Sequence, residues 1–487
     1  MEIKNRMDMK KYICKLIFVA LAAIWTFSSC GSVDMGDTSV QTTGLQSLTV
    51  QIVGGSQVFT PATKGPYNDG DVIIFKIPSP LEEPTDVSKM KLAVSLENNC
   101  KAEPAIPGVI DLTAPYELKV RTSTGEIKTY MIKVELLPPI ASFQKEWHKN
   151  STQLGFKYIN WLWSLDVSGD YLFVHDGVNF DPDPNIRVYN KNSGDIVKAI
   201  PSPRTVIGQV RTDDAGHIIA GRINGSGAGF MLYVYNDIDD ANPQLLLDYA
   251  NDAGCPVNLG YRFSVVGNIK QGKAYVYATV GNRYEANDNR NAYYYWEFNN
   301  GIPLTVVPNK VEFTPIAGAW DYADVQRRSI DDDSDIFLSY ILYESTDAQS
   351  RLFGSRFYRF RDGLQEVIEM DKSNHEYKIL GYKVFSVGDS DFLAMLTQVF
   401  YDTDPVKLKV FDITDINNIR DMNPDKDGYN DFMIFESENY TVYNIMMFGD
   451  VAVSVQGNDA YIYGLLISNN ASQGGIIKYH MKYYPRN

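Results

Sequence analysis

The chain has 487 residues, with 45 Lys+Arg against 60 Asp+Glu, 13% aromatics and 32 Tyr. A formal net charge of −15 repels nucleic-acid phosphates and anionic lipid, which sets both aside as partners. The length allows two or three domains. The aromatic excess favours strands over helices, and no window carries a sustained helical stripe.

In chain order, the first element is Met1 to Cys30. Lys4, Arg6, Lys10, Lys11 and Lys15 form a basic front, an apolar run spans Leu16 to Phe27, and Ser28-Ser29-Cys30-Gly31 follows. That order of charged, apolar and small residues predicts a secretory signal over residues 1–29. The apolar run is too short to cross a ~30 Å hydrocarbon core as a helix. Small residues directly before a Cys resemble the lipobox of bacterial lipoproteins. That resemblance implies cleavage before Cys30, lipidation of its thiol, and a protein tethered to a membrane outside the cytoplasm. Removing the signal's five Lys/Arg and two Asp/Glu leaves 40 basic against 58 acidic residues, a net of −18. Residues 30–44 are Gly/Ser/Thr-rich and predict a flexible tether. Asp34 and Asp37 behind the anchor resemble the surface-export signals of some Gram-negative lipoproteins.

From Leu45 the period becomes two. Leu48, Val50 and Ile52 alternate, then Met90, Leu92, Val94 and Leu96, then Tyr116, Leu118 and Val120, then Tyr130, Ile132 and Val134. Short alternating strands separated by turn signals predict an antiparallel sandwich over 45–138. The run Pro107–Thr113, with Tyr116–Val120 and Tyr130–Val134, resembles the immunoglobulin-like module behind the anchor of many surface lipoproteins of Gram-negative gut bacteria. Pro138-Pro139 then marks a stiff boundary. Of four cysteines, Cys14 leaves with the signal and Cys30 takes lipid. Cys100 and Cys255 remain, in different predicted domains, and no disulfide is expected.

The stretch 142–487 repeats. Leu154-Gly155-Phe156-Lys157 recurs as Leu259-Gly260-Tyr261-Arg262 and Leu380-Gly381-Tyr382-Lys383, with looser copies at Gly208 and Gly318. The glycines are 53, 52, 58 and 63 residues apart. A second series sets a tight turn before an apolar strand, as in Ser168–Val174, Gln271–Val276 and Asn458–Ile462. A third is an aromatic-bearing strand, as in Val188-Tyr189, Val410-Phe411 and Lys478-Tyr479. About four strands per ~50-residue period is the signature of a β-propeller. The series predict six blades, giving an all-β chain: an immunoglobulin-like sandwich followed by a six-bladed β-propeller. The last repeat ends at its third strand, so Ser142–Trp147 is expected to supply the fourth and close the ring.

Equivalent positions of successive blades share one rim, so the Gly-aromatic-basic motif is expected to ring one mouth of the central channel. This nominates Trp161, Trp163, Tyr261, Arg262, Trp320, Tyr322, Tyr382 and Lys383 as a ligand-binding set, with Phe156, Lys157 and Tyr443 nearby. Aromatic platforms beside a few polar groups suit sugars. Packing between blades is the competing expectation for any one ring. The loop Asn423-Pro424-Asp425-Lys426-Asp427-Gly428-Tyr429-Asn430-Asp431 copies the side-chain spacing of a calcium loop, nominating Asn423, Asp425, Asp427 and Asp431 as Ca2+ ligands. Position 12 is Ile434 rather than Glu, so a solvated turn is the default. Asp181–Asn185 and Asp331–Asp333 read as solvated acidic loops, with cation binding or acid–base chemistry as the alternative.

No zinc spacing among the five His and no nucleophile elbow or phosphate-binding loop is present. The anchor, the sandwich and the propeller together resemble the glycan-binding accessory lipoproteins of polysaccharide-utilisation systems of Gram-negative gut bacteria. The resemblance implies a lipid-anchored outer-membrane protein at the cell surface that binds polysaccharide or oligosaccharide without catalysis. It also implies passage of glycan to an outer-membrane importer complex. Two other readings stay open: a propeller glycoside hydrolase or polysaccharide lyase, whose two carboxylates need be near only in space, and a protein-binding scaffold.

Overall fold

The computed structural model describes residues 44–485 except 56–57, 80–83, 138–139, 160–163, 177–180, 182, 204–208, 225–226, 228, 282–291, 313–318, 344–351, 361–363, 370–377, 400–402, 416–431 and 445–447. The signal, the tether, Cys30, Trp161, Trp163 and the loop carrying Asn423, Asp425, Asp427 and Asp431 therefore lie outside the described residues. The described chain is built of strands, with one 3-10 turn at Asn251–Ala253. It divides into two compact units, Met1–Pro139 and Ile140–Asn487.

In the first unit two sheets share one core. Val58–Phe59, Leu45–Ile52 and Met90–Leu96 form one, and Val72–Pro78, Ile127–Leu137, Tyr116–Arg121 and Lys101–Ala102 the other. The period-two pattern turns Leu48, Val50, Ile73, Phe75, Leu118, Val120 and Ile132 into that core. One pairing differs from the antiparallel expectation: Val72–Pro78 runs parallel to Ile127–Leu137. The strand after Val72–Pro78 joins the other sheet, so the chain returns through a crossover, and crossovers produce parallel neighbours.

Among the described residues the second unit holds six antiparallel sheets. In chain order the strands of the first five, innermost first, are Leu165–Ser168, Tyr171–Asp176, Asn185–Asn190 and Ile196–Pro201; Gln209–Thr212, Ile218–Arg222, Phe230–Tyr235 and Gln244–Tyr249; Leu259–Gly267, Lys273–Val280, Ala292–Asn299 and Ile302–Pro303, with Asn309–Glu312 also on the third strand; Ala319–Arg327, Ile336–Tyr343, Leu352–Phe360 and Leu364–Glu369; and Lys378–Val387, Ser390–Gln398, Val406–Asp412 and Met433–Glu436. The sixth combines Gly449–Gln456, Asp459–Leu466 and Gly475–Tyr483 with Ala141–Lys149 from the start of the unit. Each first strand contacts the first strand of the next sheet, and that of the sixth contacts Leu165–Ser168, so the series closes into a propeller-like ring.

Burial explains the composition. Second strands such as Ser390–Gln398 are buried along nearly their whole length, because each sheet is covered on both faces by its neighbours. Two copies of the repeated glycine are required by packing. A Cβ on Gly260 would lie 2.4 Å from the Phe230 ring, and one on Gly381 would lie 2.6 Å from the Asp450 Cα.

Candidate functional site

The first strands of adjacent sheets are joined by side chains that bond to the neighbouring main chain. Ser164 Oγ accepts from Val210 N at 2.8 Å and Asp166 Oδ2 from Thr212 N at 2.7 Å. Gln209 Nε2 donates to Tyr261 O at 2.7 Å and Arg211 Nε to Phe263 O at 2.9 Å. Ser264 Oγ donates to Val325 O at 2.6 Å, and Gln326 Nε2 to Tyr382 O at 2.6 Å. Asp450 Oδ2 accepts from Leu165 N at 2.8 Å, tying the sixth sheet to the first. At the first two joints the paired bonds keep one offset, 46 and then 52 positions, so those strands run the same way along the axis. The ring thus has an entry mouth, where first strands begin, and an exit mouth, where they end.

The axis is filled by charge. Asp450 receives Arg211 Nη1 on Oδ2 at 2.5 Å and faces Arg262 Nη1 from Oδ1 at 3.4 Å. Arg262 Nη2 also donates to Gly449 O at 2.5 Å and Leu380 O at 3.2 Å, so one side chain links the third sheet with the fifth and sixth. Burial opposes the charge on Arg211, but Asp450, Asp324 and Asp166 outweigh it and raise its pKa. Burial raises the pKa of Asp324, with Arg262 and Arg211 pulling the other way. Its Oδ1 is buried with no hydrogen-bond partner.

Two nominated ligand-binding residues are corrected here. Arg262 is buried and committed to Asp450 and two carbonyls. Tyr382 is 0% exposed, with its hydroxyl donating to Phe337 O at 2.9 Å and Asp324 O at 3.2 Å and its ring edge-on to Phe357. Neither presents a surface to a ligand. Strand alternation is the cause: Tyr382 points between sheets, and its neighbour Lys383 lines the axis and a cavity beside Arg327 and Arg328 where first strands end, so Lys383 too leaves the entry-mouth set. Phe156 is likewise buried, edge-on to Tyr189. Trp320 and Tyr322 lie on Ala319–Arg327, near its entry end; their side chains are outside the description.

Tyr261 is different. It is half-buried at the entry mouth, its ring 6.4 Å from that of Phe448 at 31°, and it belongs to one apolar cluster with Phe156, Ile159 and Ile223. Next to Phe156 in the chain, Lys157 Nζ meets Asp181 Oδ1 at 2.6 Å and lies 5.2 Å from the Tyr158 ring centroid. Lys157 N and Tyr158 N both donate to Asp176, which also pairs with Arg187. The Asp181 side chain is wholly buried, which corrects the solvated reading for this residue, whereas Asp183 of the same loop is exposed. Burial works against the Asp181 charge, yet Lys157 and Asp183 N keep its pKa below the usual carboxylate range.

His175, beside this cluster, is fully buried with Nε2 3.1 Å from Ser202 Oγ, and burial lowers its pKa to about 4. Between pH 6.5 and 4 the unfolded chain binds a proton here that the folded chain does not. Stability is therefore expected to be full above pH 6.5 and to fall by about 3 kcal/mol on acidification to pH 4. Urea midpoints across that range should show the fall, and His175→Gln should flatten it; equal slopes in the two proteins would refute this assignment.

Sequence reading missed Asp166, Gln209, Arg211, Asp324 and Asp450. A signal existed: each sits beside apolar residues on the first strand of a repeat, where a charged residue on a buried strand requires a partner. Cys100 and Cys255 are free thiols, and burial pushes Cys255 up to about 11. Among the described residues no group of three or more His, Cys, Asp or Glu is placed to hold a metal ion.

Fold and site together define an all-β, propeller-like ring with a charged axis. The chain belongs to the family described as domain of unknown function DUF8500, whose model matches residues 153–478. A second model, domain of unknown function DUF5018, matches residues 25–134. No curated protein matches the sequence. Among solved structures, a DUF4623 family protein from Bacteroides eggerthii aligns over 91% of this chain and 98% of its own, with 13% identity and a TM-score of 0.51; that likeness is one of fold. A GH93 α-L-arabinofuranosidase of Fusarium graminearum aligns over 71% and 97%, with 9% identity and a TM-score of 0.40.

Proposed function

We propose that this chain is a lipid-anchored lipoprotein of the outer membrane, at the cell surface, that binds glycan at the entry mouth of a six-bladed β-propeller without catalysis. In this reading Cys30 carries the lipid, the first unit is an immunoglobulin-like spacer, and the partners are a polysaccharide or oligosaccharide and an outer-membrane importer complex. The observation that carries it is Tyr261. Its ring is partly exposed and lies against Phe448, and the apolar cluster it joins includes Phe156, which in the chain directly precedes Lys157 and Tyr158 with their ammonium and ring held together. A rigid aromatic face beside immobilised donors and acceptors suits a pyranose, whose C–H face stacks while its hydroxyls bond. Trp320 and Tyr322, placed near the entry end of their strand, would extend the platform, and Trp161 and Trp163 are nominated with them.

The test is native gel migration of the full chain in a panel of polysaccharides, with reducing-end release measured in parallel. Retardation without release is expected. Tyr261→Ala should weaken binding about tenfold, as an aromatic contact of 1–2 kcal/mol implies, with near-UV circular dichroism retained. Unchanged retardation in a folded Tyr261→Ala variant would refute the site, and sugar release would convert the reading to an enzyme.

A further inference from the structure

The exit mouth carries a second feature, independent of the entry-mouth reading. Lys383 lines the narrow axial cavity together with Asp166, Arg211, Ser264, Gln326 and Asp450. It also lines a cavity of ≈150 Å³ that opens at the exit mouth beside Asp214, Gln326, Arg327 and Arg328. Its side chain is partly buried, and its ammonium makes no hydrogen bond or ion pair with the described residues. The surrounding charges are already engaged. Asp450 serves Arg211 and Arg262, and Asp166 accepts from Thr212 N and Val167 N. Asp214 accepts from Gly267 N, and Asp391 holds Arg328 at the rim. Arg327 donates to Tyr277 Oη and to the carbonyls of Ser329 and Asp331.

We propose that the exit mouth binds a single carboxylate through Lys383, presented by the uronic-acid end of a glycan or by a small organic acid. A partly desolvated ammonium without a partner is costly, and a carboxylate arriving from solvent supplies what is missing. The shape of the site restricts the ligand to one charged group. Arg262 crosses the axis from the third sheet to carbonyls of the fifth and sixth, which narrows the axial route among the described residues and favours a short ligand over a threaded chain. The cavity's volume lies below that of pockets enclosing a drug-sized molecule, enough for a carboxylate and part of a ring. The net of −18 outside the predicted signal repels polyanions at long range, which favours a ligand with one charge.

The experiment is calorimetric titration of the full chain with sodium glucuronate, sodium acetate and glucose. Glucuronate is expected to bind and glucose not to bind. Acetate matching glucuronate would assign the site to small acids, and glucuronate alone would assign it to the uronic-acid end. Lys383→Met should weaken glucuronate at least tenfold and Lys383→Arg should retain part of it, while both keep the neutral-glycan retardation that Tyr261→Ala weakens. Footprinting of unmutated protein by amine acetylation needs no variant. Glucuronate should slow labelling of Lys383 at least fivefold relative to glucose. Glucuronate that does not bind, binds equally to Lys383→Met, or leaves Lys383 labelling unchanged would overturn the proposal.

Discussion

Asp450→Asn is expected to lower the stability of the second unit by about 3–5 kcal/mol, the usual cost of removing one partner from a buried ion pair. Asp450 is 1% exposed, and its carboxylate receives Arg211, faces Arg262 and accepts from Leu165 N. The amide keeps the shape but removes the charge that two buried guanidiniums need, so both are left under-compensated in a region that water does not reach. The damage falls on the joint between the sixth and first sheets and on the link from the second and third. Urea unfolding of the full chain, followed by tyrosine and tryptophan fluorescence, should show a lower midpoint. An unfolding free energy within ~0.5 kcal/mol of the parent would mean that this axial cluster contributes specificity but little stability.

Gly475→Ala is the second large effect, expected at about 2–5 kcal/mol. Gly475 starts the third strand of the sixth sheet at φ +95°, a conformation that costs an L-residue roughly 1–2 kcal/mol. Its Cβ would lie 1.9 Å from Lys149 O and 2.6 Å from the Asn150 Cα, adding an overpacking cost of about 1–3 kcal/mol. Lys149 ends the strand that closes the ring and Asn150 follows it; the register of that strand sets Ile476 opposite Lys149 and Tyr483 opposite Ala141. The variant should therefore expose amides of residues 141–149 to faster hydrogen exchange and lower the thermal midpoint. Exchange in 141–149 matching the parent would show that the closing strand tolerates the shift.

The mouth residues show how the sequence and the structure divided the work. The turn-and-strand series fell on second strands, such as Tyr171–Asp176 and Asp459–Leu466, and the aromatic series on third strands, such as Asn185–Asn190 and Gly475–Tyr483. Both were legible because local alternation and turn chemistry act over a few residues. The motif shared by Tyr261-Arg262 and Tyr382-Lys383 looked equivalent in sequence, yet its copies have different fates. Tyr261 stays half-exposed, Tyr382 is sealed between the fourth and fifth sheets, Arg262 crosses the axis, and Lys383 opens to the exit mouth. Register shifts at Leu259/Arg262 and Ile379/Gly381 alter which face each residue takes, since one residue of slip exchanges the faces of a strand.

By itself the sequence determined that the chain is all-β, that it divides near Pro138-Pro139, and that Ser142–Trp147 was free to pair with the last strand. Hydrophobic period, turn residues and repeat spacing are local quantities, and they act before any tertiary contact exists. Only the tertiary structure decided that Arg211, Arg262 and Asp450, separated by up to 239 positions, neutralise one another on one axis. It also set Lys383 on the axis with no hydrogen-bond or ion-pair partner among the described residues. Whether a charge is buried, paired or available depends on what the other sheets bring within a few ångströms of it, and that distance is not written in the order of the residues.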